Sequence, residues 1–170
     1  MINLCLIPSV KSDVCKLKGY ASWFFIETYS LSVTSTRDAV TTETLSLSFG
    51  ELKITKLLDG TTPQLMAVCC VGKAFDSLSI DVLETSGSGV SAAMHPILKL
   101  KFGSLKVNDW SIDKTTETIK LSYLKVACQF SQGKCNYSTL VTSYTDTAMM
   151  GWAMNDSSQS SAGGKAWSGS

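Results

Sequence analysis

Apolar and polar side chains alternate along much of this chain, and alternation with a period of two predicts β-strands. In residues 23–33 the odd positions are mostly apolar, whereas the even positions Thr28, Ser30 and Ser32 are polar. Residues 45–49 and 78–82 alternate in the same way. We therefore expect each of these strands to bury its apolar face in a core and to expose its polar face to solvent.

Two further strands change phase part-way along their length. In residues 97–107 the apolar positions are even up to Phe102 and odd from Leu105. In residues 117–130 they are odd up to Tyr123 and even from Leu124, and a β-bulge at this point would reconcile the two halves and bend the sheet. Bent, two-faced strands joined by short turns predict a mainly β protein, built as a closed two-sheet barrel or sandwich.

Residues 62–71 are predicted to form one short helix. The hydroxyl of Thr62 can accept a hydrogen bond from a free amide at the helix start, and Pro63 suits the first helical position. Gly72 supplies a permissive residue at the other end. The predicted buried face is apolar and consists of Leu65, Val68 and Cys69.

The predicted organisation is one β-domain at residues 1–156, followed by a flexible Ser/Gly-rich tail at 157–170. Residues 2–7 suit a first strand that stops at Pro8, and their composition does not predict a cleaved export signal. Residues 35–44 are polar and are expected to form a long connection or an extended hairpin arm. No apolar run approaches the roughly 20 residues of a membrane-spanning helix.

Charge and cysteine usage narrow the possible function classes. The net charge is +1 and Arg37 is the single arginine, which argues against nucleic-acid binding. The six cysteines show no CxxC spacing, so buried thiols are favoured over a metal site. Cys128 and Cys135 flank a turn expected at Gly133 and are the pair that could cross-link.

The sequence offers no catalytic constellation. His95 is the only histidine, and it is expected in a solvated loop before a strand, without a nucleophile-elbow pattern elsewhere. Asp109 and Asp113 could mimic a carboxylate pair, but placement in turns and strand ends explains them better. Phosphate-loop and dinucleotide motifs are also lacking. The residues favour a structural protein that needs no cofactor and no metal.

Residues 54–75 resemble the hallmark segment of Hcp proteins, the tube subunits of bacterial type VI secretion systems. In that family a strand ending in Thr-Lys is followed by an aspartate, a Thr-Pro helix start, Leu-Met and a Gly-Lys stop. The matching positions are Thr55, Lys56, Asp59, Thr62, Pro63, Leu65, Met66, Cys69, Gly72 and Lys73. The resemblance covers about residues 20–155, whereas residues 8–22 and 35–44 depart from the family pattern.

The resemblance implies a non-catalytic subunit of a homohexameric ring, which stacks into a hollow tube carrying effector proteins. A contracting sheath would drive the tube and its spike protein from the bacterial cytoplasm outward or into a target cell. Neither nucleic acid nor membrane insertion is implied. The candidate lumen-facing residues are Thr28, Ser30 and Ser32, with Ser30 at the motif position. The candidate inter-subunit arm residues are Thr36, Arg37, Asp38, Val40 and Thr42.

Two other interpretations remain open from the residues alone. A phage-type tail tube protein would share this architecture and would differ in its genomic neighbourhood. A monomeric secreted β-sandwich that binds a ligand would share the strand pattern, and it would stay monomeric at high concentration. An enzyme is the remotest alternative, and it would require activity that depends on His95.

Overall fold

A computed structural model describes residues 1–37, 44–86, 93–132, 135–142 and 153–154. The tail at 157–170 and the arm candidates Asp38, Val40 and Thr42 lie outside these residues. Within the described part the strands are β1 (Ile2–Leu6), β2 (Phe24–Ile26), β3 (Thr28–Ser30), β4 (Val33–Arg37), β5 (Thr44–Phe49), β6 (Leu52–Leu57), β7 (Ala74–Ser86), β8 (Ala93–Asp113), β9 (Thr116–Ser122), β10 (Lys125–Gln132), β11 (Cys135–Thr142) and β12 (Ala153–Met154). The helix α1 covers Thr62–Val71, as predicted.

Six antiparallel ladders arrange the strands as a barrel. The order around it is β1, β7, β8, β9, β6 and then the segment of β3 and β2, which returns to β1. The long strand β8 pairs with β7 on one edge. On its other edge it pairs first with β10 and then with β9. Strands β11 and β12 extend the sheet beyond β10.

The barrel is closed by the covalent chain rather than by a continuous hydrogen-bonded ladder. Strand β2 pairs with β1, and β3 pairs with β6. Glu27 lies between them, and its backbone N–H donates to the carbonyl of Thr55 at 2.8 Å. The predicted mainly β fold with one short helix is confirmed, with this difference in how the sheet closes.

Because the chain changes its pairing partner between β2 and β3, the prediction of which residues in 23–33 are buried is also corrected. Phe24 and Ile26 are buried, whereas Phe25 and Val33 are exposed, so the buried positions at the start of this stretch are even and not odd. The sequence pattern treated the stretch as one strand, but the chain leaves one ladder for another at Glu27. The faces of β2 and β3 are therefore not continuous.

The two predicted changes of phase, one in residues 97–107 and one in residues 117–130, lie opposite each other in the sheet. Leu105 and Ile119 are buried on odd positions, whereas Phe102 and Val126 are buried on even ones. Instead of a bulge within one strand, β9 ends and β10 begins on either side of residues 123–124. Across the ladder Ser104 adopts a positive φ of 56°, and the N–H of Leu124 donates to the carbonyl of Gly103 at 3.2 Å. The sheet changes phase on both strands at the same place.

A second, smaller core lies on the outer face of β1 and β7. Residues 8–23, which we call the strap, cross this face. The hydroxyl of Tyr20 donates to Asp81 at 3.0 Å, and the ring of Tyr20 meets that of Trp23 edge-on. The apolar side chains of this core are Leu4, Cys15 and Leu83, with Ile2, Leu17, Tyr20 and Trp23 packed against them. The strap is thus packed onto the barrel by its own apolar contacts.

Two smaller predictions are corrected by the strand register. His95 lies within β8 opposite Glu84, not in a loop before the strand. Cys128 faces Thr139 across the β10–β11 ladder, whereas Cys135 faces Gln132, four positions along the strand. Four residues of strand span about 13 Å, which is beyond the reach of a disulfide, so this register does not allow the suggested cross-link.

Asp81 gives the strap a pH-dependent effect on stability. Burial raises the pKa of Asp81, and the hydrogen bond from Tyr20 and the charge of Lys99 only partly oppose this. A carboxyl with a raised pKa in the folded state binds its proton more tightly there, so folding is favoured at low pH and disfavoured once the group ionises.

We therefore expect Asp81→Asn to raise the free energy of unfolding at pH 7, with the gain shrinking as the pH falls toward 3. Urea denaturation at both pH values measures this. Asp76→Asn, at an exposed carboxylate on the same strand, is the matched control. A gain at pH 3 as large as that at pH 7 would contradict the assignment of the effect to the buried charge.

Candidate functional site

The residues that open the helix meet two neighbouring strands in a polar cluster with a fully buried ion pair at its centre. Lys56 lies at the end of β6 and Glu117 at the start of β9, directly opposite each other in the ladder. Both side chains have no exposed area. We call the cluster the buried network; its members are Lys56, Asp59, Thr61, Thr62, Trp110 and Glu117.

The ammonium group of Lys56 satisfies its three N–H donors within the protein. Its Nζ lies 2.8 Å from the carbonyl of Leu57, 2.9 Å from Oδ1 of Asp59 and 3.0 Å from Oε2 of Glu117. It also lies 5.9 Å from the centre of the Phe24 ring. A buried charge is tolerated when it is paired and its remaining donors are bonded, and Lys56 meets both conditions.

The two carboxylates are held by further donors. Thr62 donates to Oε2 of Glu117 at 2.6 Å, and the indole N–H of Trp110 donates to Oε1 at 2.7 Å. Oδ1 of Asp59 accepts from both the backbone N–H and the hydroxyl of Thr61. Among the described residues, every buried side-chain nitrogen and oxygen has a hydrogen-bond partner. The network therefore ties β6, β8, β9 and the start of α1 together.

The network also corrects the predicted helix start. The helix is capped at Thr61, whose side chain makes no capping bond, and the Thr62 hydroxyl binds Glu117 instead of a helix amide. The predicted end is confirmed: Gly72 has a φ of 66°, and its N–H reaches the carbonyls of Val68 and Cys69. Of the remaining helix-motif residues, Leu65 is fully buried, whereas Pro63, Met66 and Lys73 are exposed.

Sequence reasoning quoted Lys56 and Asp59 as motif positions without giving them a role, and it missed Glu117 and Trp110. The alternation of inward and outward positions in β6 and β9 did contain a signal for this buried pair. Lys56 continues the inward positions of Leu52 and Ile54, and Glu117 continues those of Ile119 and Leu121. A charged residue at the inward phase of each of two strands indicates a buried pair when the strands are neighbours.

A second candidate site is the outward face of β3, β6, β9 and the end of β8. One row of paired positions crosses it with hydroxyl side chains only, and a second row contains three charges. We call these two rows the hydroxyl face. The first row is Thr28, Thr55, Thr118 and Ser111; the second is Ser30, Lys53, Lys120 and Asp109.

The hydroxyl face is accessible and nearly neutral. Thr28, Ser30 and Lys53 are exposed. The hydroxyl of Thr28 bonds that of Thr55 on the next strand. Lys120 lies 2.9 Å from Asp109, and this contact lowers the pKa of Asp109 and raises that of Lys120. The face thus presents hydroxyl groups, the Lys120–Asp109 ion pair and the ammonium of Lys53, with no large apolar side chain among its eight positions.

Ser32, which the alternation groups with Thr28 and Ser30, is exposed but follows the last paired position of β3. It lies between β3 and β4, where its carbonyl accepts from the N–H of Gly50 at 2.8 Å. The Ser32 hydroxyl occupies the space that a Cβ on Gly50 would need, and such a Cβ would also lie 3.4 Å from the Ser32 carbonyl oxygen. Ser32 and Gly50 form the base of the β4–β5 hairpin.

The expected arm is confirmed as a hairpin where the structure describes it. Strands β4 and β5 pair with each other and form a separate two-stranded sheet. Thr36 and Arg37 are the last two positions of β4. At the root, the Phe49 and Tyr123 rings lie 5.2 Å apart. The hairpin is therefore anchored to the barrel at its base.

Within the described ranges, no group of three His, Cys, Asp or Glu side chains is placed to hold a metal ion. In the same part of the chain, no helix is both long enough and apolar enough to cross a membrane. The chemistry that these residues offer is hydrogen bonding and charge pairing, at the surface and in the buried network.

Comparison with known proteins identifies the family. Residues 14–130 match the family model described as "Type VI secretion system effector, Hcp". A search of curated protein sequences found no match.

Solved structures share the fold at low sequence identity. A type six secretion system protein matches with a TM-score of 0.68 and 14% identity over 83% of this chain and 94% of that one. A type VI secretion effector from Yersinia pestis matches with a TM-score of 0.66 and 13% identity over 82% and 98%. Hcp1 from Salmonella typhimurium matches with a TM-score of 0.64 and 17% identity over 84% and 94%.

The buried network yields a direct test of stability. We expect Glu117→Gln to lower the free energy of unfolding by about 3–5 kcal/mol, because Lys56 then keeps its burial but loses a charged partner. Urea denaturation with a double-mutant cycle through Lys56→Met measures the coupling. Asp109→Asn removes a carboxylate from the surface pair with Lys120 and should change little. Equal effects of the two carboxylate variants would contradict the assigned role of the network.

Proposed function

This chain belongs to the Hcp family of type VI secretion system proteins, and we propose that it is a structural tube subunit. Six copies close into a ring, and the rings stack into a hollow tube that carries effector proteins. A head-to-tail contact repeated around an axis forms a ring when its rotation closes. The observation that carries the proposal is an exposed hydroxyl face on a barrel that also projects a separate hairpin.

The hydroxyl face supports a role as the lumen wall. Apolar surface would bind passing cargo by the hydrophobic effect and retain it, whereas hydroxyl groups make individually weak bonds that exchange with water. Thr28 and Ser30 lie on this face, and both are exposed. In the proposed tube they meet effectors through many weak contacts. Ser32, at the hairpin base, is assigned to the arm instead of the wall.

The hairpin supports a role in contact between subunits. An isolated two-stranded hairpin is marginally stable in water, so contacts beyond its own ladder would stabilise it. In the described residues β4 and β5 form no ladder with the rest of the sheet. We assign these contacts to the neighbouring subunit of the ring, with Thr36, Arg37, Asp38, Val40 and Thr42 as candidates.

The remaining parts of the proposal follow from the family. The tube forms in the bacterial cytoplasm inside a contractile sheath, with a spike protein at its tip. Sheath contraction moves the tube outward, into the medium or a target cell. The subunit catalyses no reaction in this scheme and needs no cofactor.

Electron microscopy of the purified protein tests the ring. We expect hollow rings or tubes from the full chain, and a folded monomer after deletion of residues 37–42, because the arm contact is then lost. Size exclusion and circular dichroism check the second expectation. Removal of residues 157–170 is the control and should leave assembly intact. A full chain that stays monomeric at high concentration contradicts the ring, and rings from the arm deletion contradict the arm contact.

Cysteine labelling tests the orientation of the wall. In assembled tubes, we expect a bulky polymer-linked maleimide to label the Ser9→Cys variant and to label the Ser30→Cys variant far more slowly. Both serines are exposed in the single subunit, Ser9 on the strap and Ser30 on the hydroxyl face. Mass spectrometry at each site separates the new thiols from the native cysteines.

The arm-deleted monomer supplies the reference, since both introduced cysteines should react there at similar rates. Equal labelling of the two positions in tubes would show that Ser30 does not line the lumen.

A further inference from the structure

The strap lies on the side of the barrel opposite the hydroxyl face. It packs on the outward surface of β1 and β7, through Leu4 and Leu83 and through the Tyr20–Asp81 bond. In the order of strands around the barrel, β1 and β7 lie across from β9 and β6. Strands β9 and β6 carry the centre of the hydroxyl face. If that face lines the lumen, the strap faces away from it.

The strap concentrates positive charge. It contains Lys11, Lys16 and Lys18 against one acidic residue, Asp13, and therefore carries a formal charge of +2. The whole chain carries +1, so all the other residues together carry −1. All three lysines are exposed. Among the described residues, none of the three ammonium groups has an ion-pair partner.

The nearby buried carboxylate does not neutralise this charge. Asp81 accepts the hydrogen bond of Tyr20, and it lies opposite Lys99 in the β7–β8 ladder. The positive charge of the strap is therefore available to an external partner.

The backbone that carries these lysines is held at several points. The side-chain amide of Gln64, on α1, makes two hydrogen bonds with the backbone of Lys11, accepting from its N–H at 2.9 Å and donating to its carbonyl at 2.8 Å. The hydroxyl of Ser12 donates to the carbonyl of Trp23. Cys15 is buried in the outer core between the lysines. The three charges thus project from a fixed frame, which reduces the conformational entropy lost on binding.

We propose that the strap is an electrostatic docking surface for an acidic protein surface that encloses the tube. The outward orientation rests on the proposed function, whereas the charge and its fixed frame do not. Exposed ion pairs are individually weak, screened by salt and quick to exchange. Contacts of this kind guide a surface into register and still permit it to slide or separate when its partner moves.

Binding of a labelled poly-L-glutamate peptide, followed by fluorescence anisotropy, tests the surface. We expect the intact protein to bind at low ionic strength and to bind more weakly near 0.15 M salt, where the Debye length is about 8 Å. Combined replacement of Lys11, Lys16 and Lys18 by glutamate should weaken binding at least about tenfold, the sum of three weak pairs. Replacement of Lys73, Lys106 and Lys114 by glutamate changes the net charge equally and is the control.

The controls also separate this inference from the ring. Circular dichroism must show both triple variants folded, and electron microscopy should show that the strap variant still forms rings. Selective loss in the strap variant supports the docking surface, even if the protein proves monomeric and the tube proposal fails. An equal loss of peptide binding in both variants, or no loss in either, overturns the proposed docking surface. Stronger binding to phosphatidylserine vesicles or to single-stranded DNA than to the peptide also overturns it, since the surface would then serve another class of partner.

Discussion

The ion pair between Lys56 and Glu117 is the interaction on which the described arrangement depends. The two residues join β6 to β9 at the point where the chain leaves the sheet for the helix. Because an ammonium group without partners is very costly to bury, the surrounding donors and acceptors are tightly constrained. Asp59 and Thr62 then fix the turn and the first helical residue. The buried charge of Lys56 thereby fixes where the start of the helix lies on the sheet.

The family motif gains a physical meaning from this cluster. Lys56, Asp59 and Thr62 of the motif are parts of one hydrogen-bonded unit, and their spacing matches the turn between β6 and α1. The helix itself contributes a single fully buried side chain, Leu65. The motif that identifies the family therefore supports the barrel, while the hydroxyl face, the hairpin and the strap provide the surfaces that can meet other proteins.

Local features of the fold could be predicted from the sequence, whereas features that depend on distant pairing could not. The bounds of α1 followed from Thr62, Pro63 and Gly72, and both phase slips were visible in the alternation. The partner of Lys56 lies 61 residues away, so no local pattern specifies it. The strap has no periodic pattern at all, because its apolar residues pack as an irregular segment over a finished sheet. Thr28 and Ser30 share β3, as the alternation indicates, whereas Ser32 lies beyond its end, because alternation does not reveal where a strand ends.

The position of β1 has a consequence for the order of folding. Cys5 of β1 pairs with Ile80 of β7, so β1 cannot complete its ladders until β7 has been synthesised. Pairings so distant in sequence are slow to form. Until its partner strand is present, a strand exposes unpaired backbone N–H and C=O groups along one edge. The barrel can therefore close only once strands distant in sequence are present. Until then, the exposed edge of β1 can pair with a strand of another chain.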